Sequence, residues 1–449
     1  MRIKLSKIFA GVFLISSMFG QSYFNGVVGE FVWFGDSRSM AMGQTGIAES
    51  HGFSNLWINP ALLNIDGRFL FESTLQVKRL EEQRTFPVID MFGDIVTDNI
   101  YNVSSKWYQN ESFGAVLNLP LLPFTLAIGK APFLDFRFQY DEGVRGNLTS
   151  SNYNRDPLVG YHRISSDGKI DAVSGGIALR LLDRIHFGVS GHILTASEFS
   201  RNYSVIVIES DDALAAEDTL IFESKWEIEK VKMKPSLAKP YTFSVGGSID
   251  FNWHISISAN YRNGVHFKTS DLSVAPSIDE NTLLPAYSWR EDSLKIQYAY
   301  PEKYSLGIRY QPTNPIPTKL FAEIHYTDWS QFKISYSRRV NDEDSFSHNF
   351  SETYEFRFGL EHMVLRKIPF RAGFIYAESP YGNELDRSIF TIGSGFSPLD
   401  NLTVDVAGKF TTSEYKYVDI FPAVGQESTE LENVKESIGT LSVTMKYEF

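Results

Sequence analysis

The stretch Leu441-Ser442-Val443-Thr444-Met445-Lys446-Tyr447-Glu448-Phe449 decides the fold class. Apolar and polar side chains alternate along it, so an extended backbone puts grease on one face and hydroxyls and charges on the other. A single such run fits any half-buried strand, but this one recurs. Leu402, Val404, Val406 and Phe410 alternate with Thr403, Asp405 and Lys409, and Phe370, Ala372, Phe374 and Tyr376 with Arg371 and Gly373. Tyr354, Phe356, Phe358 and Leu360 alternate with Glu355, Arg357, Gly359 and Glu361, and Ile255, Ile257, Ala259 and Tyr261 with Ser256, Ser258, Asn260 and Arg262. In a soluble sandwich the two faces would be core and solvent; in a transmembrane barrel they are lipid and lumen.

Connection lengths separate these alternatives. Short links at 119–123, 182–185, 251–253, 311–317, 365–368 and 397–401 alternate with long polar ones near 88–110, 141–169, 206–236, 270–291, 337–349 and 417–433, plus a shorter one near 380–386. Short periplasmic turns and long external loops are the asymmetry of an outer-membrane barrel, and the breaks delimit about fourteen strands. The expected fold is all-β, a transmembrane antiparallel β-barrel over residues 67–449. Such a barrel is expected in the cell outer membrane, with outer-membrane lipid around it.

Before the first strand, at Arg68, the texture changes. Arg2, Lys4 and Lys7 precede an apolar run from Ile8 to Phe19, with Gly20 and Ser22 after it. That run falls short of the roughly 20 apolar residues of a spanning helix, so residues 1–22 read as a cleaved secretory signal peptide. Residues 23–66 contain Gly35, Gly43, Gly46, Gly52 and Pro60 and do not alternate. They are expected to form a periplasmic extension or a hatch in the lumen, and are too few for the plug domain of TonB-dependent barrels.

Composition narrows the function. The chain has no cysteine, hence neither a lipidated cysteine nor a disulfide framework. A net charge of −12 argues against nucleic acid as a partner. Asp211, Asp212, Glu217 and Asp218 read as a solvated loop surface. His186, His192, His254, His325 and His362 lack metal-ligand spacing, and no Gly-x-Ser-x-Gly, P-loop or dinucleotide fingerprint occurs. No enzymatic activity, cofactor or metal is expected.

Three stretches resemble the FadL family of outer-membrane transporters of long-chain fatty acids and other hydrophobic compounds. Asp36-Ser37-Arg38-Ser39-Met40-Ala41-Met42-Gly43-Gln44-Thr45-Gly46-Ile47-Ala48 with Trp57-Ile58-Asn59-Pro60-Ala61-Leu62 is similar to that family's hatch. Pro301 to Tyr310 with Ala322 to Ser330 is similar to its central strand pair, and Phe370 to Pro380 to a later strand and loop. The last departs from the family in having Ala377-Glu378 before Ser379-Pro380, and region 206–236 aligns with nothing in it. The resemblance implies a fourteen-stranded monomeric barrel plugged by its N-terminus, passing hydrophobic small molecules inward passively, with lateral release through a gap at the third strand. A terminal strand ending on Phe449 also resembles the signature read by the barrel-assembly machinery, a partner during insertion. The hatch stretch is shared with PorV-like components or shuttles of type IX protein secretion, which is the alternative reading. The central and late strands favour the channel.

Candidate residues follow. Asn59, Pro60 and Ala61, with Gly43 and Gly46, are either loop turns or gating elements of the hatch, since proline removes a donor and the asparagine amide can bond free backbone groups. Gly129, Lys130, Ala131 and Pro132 mark the lateral opening or simply a strand end, because proline cannot donate to the ladder. For the opening, Asn59-Pro60-Ala61 is the cover that the family implies. Gly114, Gly176, Gly188, Gly246, Gly307, Gly359, Gly373 and Gly393 point inward, leaving room for a hatch or a ligand. Arg309, Arg357 and Arg371 also point inward, either to pair with Glu323, Glu355 and Glu361 or to take a ligand carboxylate.

Overall fold

The computed structural model describes residues 21–63, 65–92, 94–119, 123–145, 158–181, 184–196, 199–210, 221–234, 241–252, 254–274, 290–292, 295–313, 315–337, 343–346, 350–364, 368–418 and 431–449. Apart from Gln21 and Ser22, the expected signal peptide lies outside them, as do Asp211, Asp212, Glu217 and Asp218.

Fourteen antiparallel strands close into one barrel. They are β1 Phe69–Ile89, β2 Ile95–Asn118, β3 Phe124–Asp135, β4 Lys169–Leu181, β5 Ile185–Ala196, β6 Tyr241–Asn252 and β7 Ile255–Arg262, then β8 Lys303–Tyr310, β9 Thr318–Thr327, β10 Thr353–Val364, β11 Ile368–Ala377, β12 Arg387–Leu399, β13 Leu402–Val418 and β14 Leu431–Glu448. Each pairs with its neighbours in chain order, and β1 meets β14 in register from Leu70 opposite Glu448 to Thr85 opposite Asn433. The amide of Arg68 donates to the Phe449 carbonyl at 2.8 Å, completing the seam. Every strand thus has a neighbour on both sides, the condition for a sheet to cross a membrane.

The alternation sorts side chains as expected. Leu441 and Met445 are exposed on the outer face of β14, while Ser442 and Thr444 are fully buried inside. Outward tyrosines Tyr261, Tyr304, Tyr326 and Tyr354 stand directly across from one another on β7 to β10. Their ring centroids are 5.1, 6.4 and 5.2 Å apart. Glu302 accepts the hydroxyls of Tyr261 and Tyr304, and Glu352 accepts that of Tyr326. Rings toward lipid with hydroxyls toward water make this an interfacial girdle.

Two expectations are corrected. The polar connection near 88–110 is a continuation of the β1–β2 ladder, with Pro87 opposite Asp98 and Val88 opposite Thr97. Above the membrane both faces of a strand are wet, so alternation fades although the backbone pairing persists. Parts of the other long connections join a second, nine-stranded sheet beyond the outer rim, which includes Phe138–Arg145, Leu158–Asp167 and Val265–Val274. Second, Pro132 does not end β3, which runs on to Asp135. Its ladder with β4 continues through Pro132 opposite Asp171, with a register shift between Pro132 and Leu134. A bulge accommodates the missing donor.

Candidate functional site

The N-terminal segment occupies the lumen. It holds helix α1 Gln21–Val28, a two-residue strand Glu30–Phe31, short helices α2 Ser37–Ala41 and α3 Asn55–Ile58, and a 3-10 turn Pro60–Leu62. Local chemistry sets these breaks. The Asp36 carboxylate caps α2 by accepting from the Ser39 amide at 2.8 Å. Gly43 has φ of +71°, a conformation that only glycine adopts without strain. Asn59 accepts from the Ala61 amide at 3.1 Å and donates to the Ile47 carbonyl at 2.8 Å, while Pro60 supplies the preset first residue of the turn. The Asn-Pro-Ala motif thus ties two passes of the segment together.

The barrel wall is hollowed to receive it. A Cβ on Gly114 or Gly129 would strike the Phe53 ring; on Gly188, the Pro60 carbonyl; on Gly246, the Asn59 amide oxygen. One on Gly176 would stand 2.6 Å from Leu56 and one on Gly307 3.0 Å from Ile47. On β10, β11 and β12, Gly359, Gly373 and Gly393 face Met42, Gly43 and Ala41. The inward glycines of the sequence therefore fit the N-terminal segment itself.

Charged contacts hold it. Glu323 accepts from the amides of Gly46 and Ile47 at 2.6 and 2.7 Å. Arg357 donates to the Gln44 carbonyl at 2.7 Å and to Glu355 at 2.9 Å. Arg371 donates to Glu361 and Asp405 at 2.7 and 2.6 Å, and Arg38 of α2 shares Glu361. Arg309 donates to Ser256 and lies 3.4 Å from Glu49 of the segment. The three arginines are thus engaged by the wall and the segment, and Glu323 serves backbone amides where an arginine partner was expected. Lys446 donates to Asp36 and to the His51 carbonyl. Trp57 stacks on His192 of β5 at 3.6 Å.

Outward of the segment lies a luminal cavity of about 330 Å³. One side is aromatic and aliphatic, with Phe31, Trp33, Phe34, Trp57, Ile58 and Trp329. The other carries Lys78, Arg262, Lys303, Arg357 and Lys409 among carboxylates. Lys78 pairs with Glu30 at 2.5 Å and Lys303 with Glu355 at 3.4 Å. Arg262 has no carboxylate within ion-pairing distance among the described residues, and sits over the rings of Phe31 and Phe133 at 5.0 and 5.6 Å. Neither Arg262 nor Lys409 was singled out from sequence. Arg262 stands in the sequence only as one polar residue of an alternating run, and its seat over two rings is a tertiary fact.

Beside this cavity the wall is split. β3 pairs with β2 only from Asn118–Thr125 to Phe113–Lys130. Beyond Lys130 the in-out alternation of β3 stops, and Ala131, Pro132, Phe133, Leu134 and Asp135 are all buried. The strand has turned into the lumen. There Glu30 and Phe31 pair with Asp135 and Leu134, and the Val32 amide donates to the Phe133 carbonyl at 3.1 Å. Glu30–Val32, not Asn59-Pro60-Ala61, covers the break; the latter lies against β5 and β6, where Gly188 and Gly246 make room. Above the split β2 and Phe138–Arg145 are joined by side chains. Arg137 donates to the Gln109 carbonyl at 3.1 Å, and Asp141 accepts from Lys106 and Arg163 at 2.5 Å each.

Residues 34–449 match the family model described as outer membrane protein transport protein (OMPP1/FadL/TodX). The fold is similar to that of a Pseudomonas aeruginosa FadL homologue, with a TM-score of 0.62, 14% identity, and 94% of this chain and 100% of that one covered. The Pseudomonas putida toluene transporter TodX gives 0.58 at 14% identity, covering 93% and 99%. The Ralstonia pickettii toluene transporter TbuX gives 0.55 at 15%, again covering 93% and 99%. No curated protein matches.

Proposed function

The chain belongs to the outer-membrane transport protein family of FadL and TodX, and from that premise we propose that it takes up single hydrophobic molecules, such as long-chain fatty acids, passively through the barrel wall. The observation that carries this reading is the split between β2 and β3 beside an aromatic cavity, covered by Glu30–Val32. An apolar solute released into the periplasm would re-expose its surface to water at about 25 cal/mol per Å². Sideways release into the bilayer avoids that cost. A gap facing lipid needs partners for its backbone groups, and the N-terminal segment supplies them, so it acts as the hatch. Movement of Glu30–Val32 opens the route, and Arg262, seated over the Phe31 ring, offers an acidic head group a counter-charge.

The test is uptake of radiolabelled oleate and toluene by cells lacking the native protein and complemented with Ala131→Val/Pro132→Thr. Restoring a donor and β-branched residues lets the β2–β3 ladder extend. Uptake of both solutes should fall while the barrel still assembles, as read by its heat-modifiable mobility on gels. Unchanged uptake in the assembled variant would remove the lateral route.

A further inference from the structure

The outer face around the split breaks the lipid-facing pattern of the rest of the barrel. Reading up β2, the outward residues are Leu117, Ala115 and Phe113, then Glu111, Gln109 and Trp107. Trp107, 67% exposed with the Arg79 guanidinium 5.8 Å from its ring, is placed as an interfacial anchor. Glu111 and Gln109 lie below it, toward the bilayer centre. Their partners across the β1 ladder are Leu75 and Val77, so the apolar band has not ended at this level. Glu111 is exposed and has no basic partner among the described residues. On the other lip Lys130 points outward from β3, with 44% of its side chain exposed, and reaches Asp171 of β4 at 2.9 Å. Asp171 stands opposite Pro132, two residues above Lys130 of the last β2–β3 pair.

Charged side chains on the lipid face of a barrel are destabilising, most of all a lysine at mid-depth. Here Glu111, Lys130 and Asp171 gather on both lips of the split and face outward, away from the cavity. Charges in that position draw water and lipid head groups down along the wall. We propose that Glu111, Lys130 and Asp171 form a hydrated notch at the outer mouth of the split, and that it determines passage of single-chain amphiphiles as opposed to pure hydrocarbons. An ionised head group crossing a dry portal would have to shed its hydration, which is far costlier than moving a methyl group; along the notch it stays solvated while its tail enters the bilayer. A hydrocarbon has no head group and gains nothing from the notch. This inference rests on the lateral route proposed above.

Two measurements test it. The chain has no cysteine, so Gln109→Cys and Leu441→Cys each give one thiol; Leu441 faces lipid on β14 in the same register line, through Val77. In an otherwise native chain, a charged, membrane-impermeant thiosulfonate should label position 109 at least about tenfold faster than position 441. Equal rates would overturn the notch without any transport assay. Second, Glu111→Leu/Lys130→Leu/Asp171→Leu, once shown to assemble, should slow oleate uptake about tenfold more than toluene uptake. Unchanged oleate uptake would overturn the proposal, and equal slowing of both solutes would mark a structural effect and overturn it as well. If Ala131→Val/Pro132→Thr instead leaves both solutes unaffected, the lateral route itself has failed.

Discussion

Gly373 shows how a single missing side chain specifies the inside of this barrel. Its Cβ would meet the backbone of Met42 and Gly43, whereas a Cβ on Gly191, on the outer face of β5, would meet nothing within 4 Å. Gly373→Val should therefore displace the N-terminal segment, at about 1–3 kcal/mol for overpacking, and Gly191→Val should not. The expected result is faster proteolysis of residues 30–62 in the assembled Gly373→Val barrel, with Gly191→Val behaving like wild type. The parity of these glycines could be read from sequence, because period two fixes which face each occupies. Their partners could not, because contacts between residues hundreds of positions apart leave no local pattern. The same holds for Glu323, whose inward direction was legible but whose bonding to Gly46 and Ile47 was not.

At the scale of the element, β3 changes role at Lys130. Proline signalled the disturbance, but its form depended on neighbours, because β4 follows the bulge while β2 does not. Higher up, side chains replace the ladder, with Asp141 at their centre. Burial alone would raise its carboxyl, but hydrogen bonds and attraction from Lys106 and Arg163 hold it below the usual carboxylate value. A lowered folded-state pKa means that this contribution is present above the unfolded value and is lost as pH falls through the folded one. The junction should therefore loosen below about pH 4. It should also loosen in high salt, since these groups are partly exposed. Hydrogen-exchange protection, taken relative to the intrinsic rate at each pH, should fall in Phe138–Arg145 on acidification but not in the closed β1–β14 seam. Asp141→Asn should exchange quickly already at neutral pH, and its protection should no longer depend on pH in this range.

For the molecule as a whole, barrel and luminal segment are held as one body by contacts at both ends of the sequence. Ser37 Oγ lies 2.8 Å from Ser442 Oγ, so Ser37→Cys/Ser442→Cys places two near-isosteric thiols together in a chain that has no others. If the segment must shift for transport, the oxidised variant should lose most uptake and regain it on reduction; full uptake in the oxidised form would mean that α2 stays fixed. By itself the sequence determined the all-β class, the closed barrel of fourteen strands and the face of each inward residue. Those properties follow from a period of two repeated in strands that each meet the same two solvents, so every strand carries its own copy of the signal. It did not determine where the outer strands end, because above the membrane both faces meet water and the period disappears. Nor did it determine the cover of the split, the seat of Arg262 over two aromatic rings or the polar lips around Lys130. Each of those depends on which strands and luminal turns become neighbours, and only closure of the barrel around its own N-terminal segment brings them together.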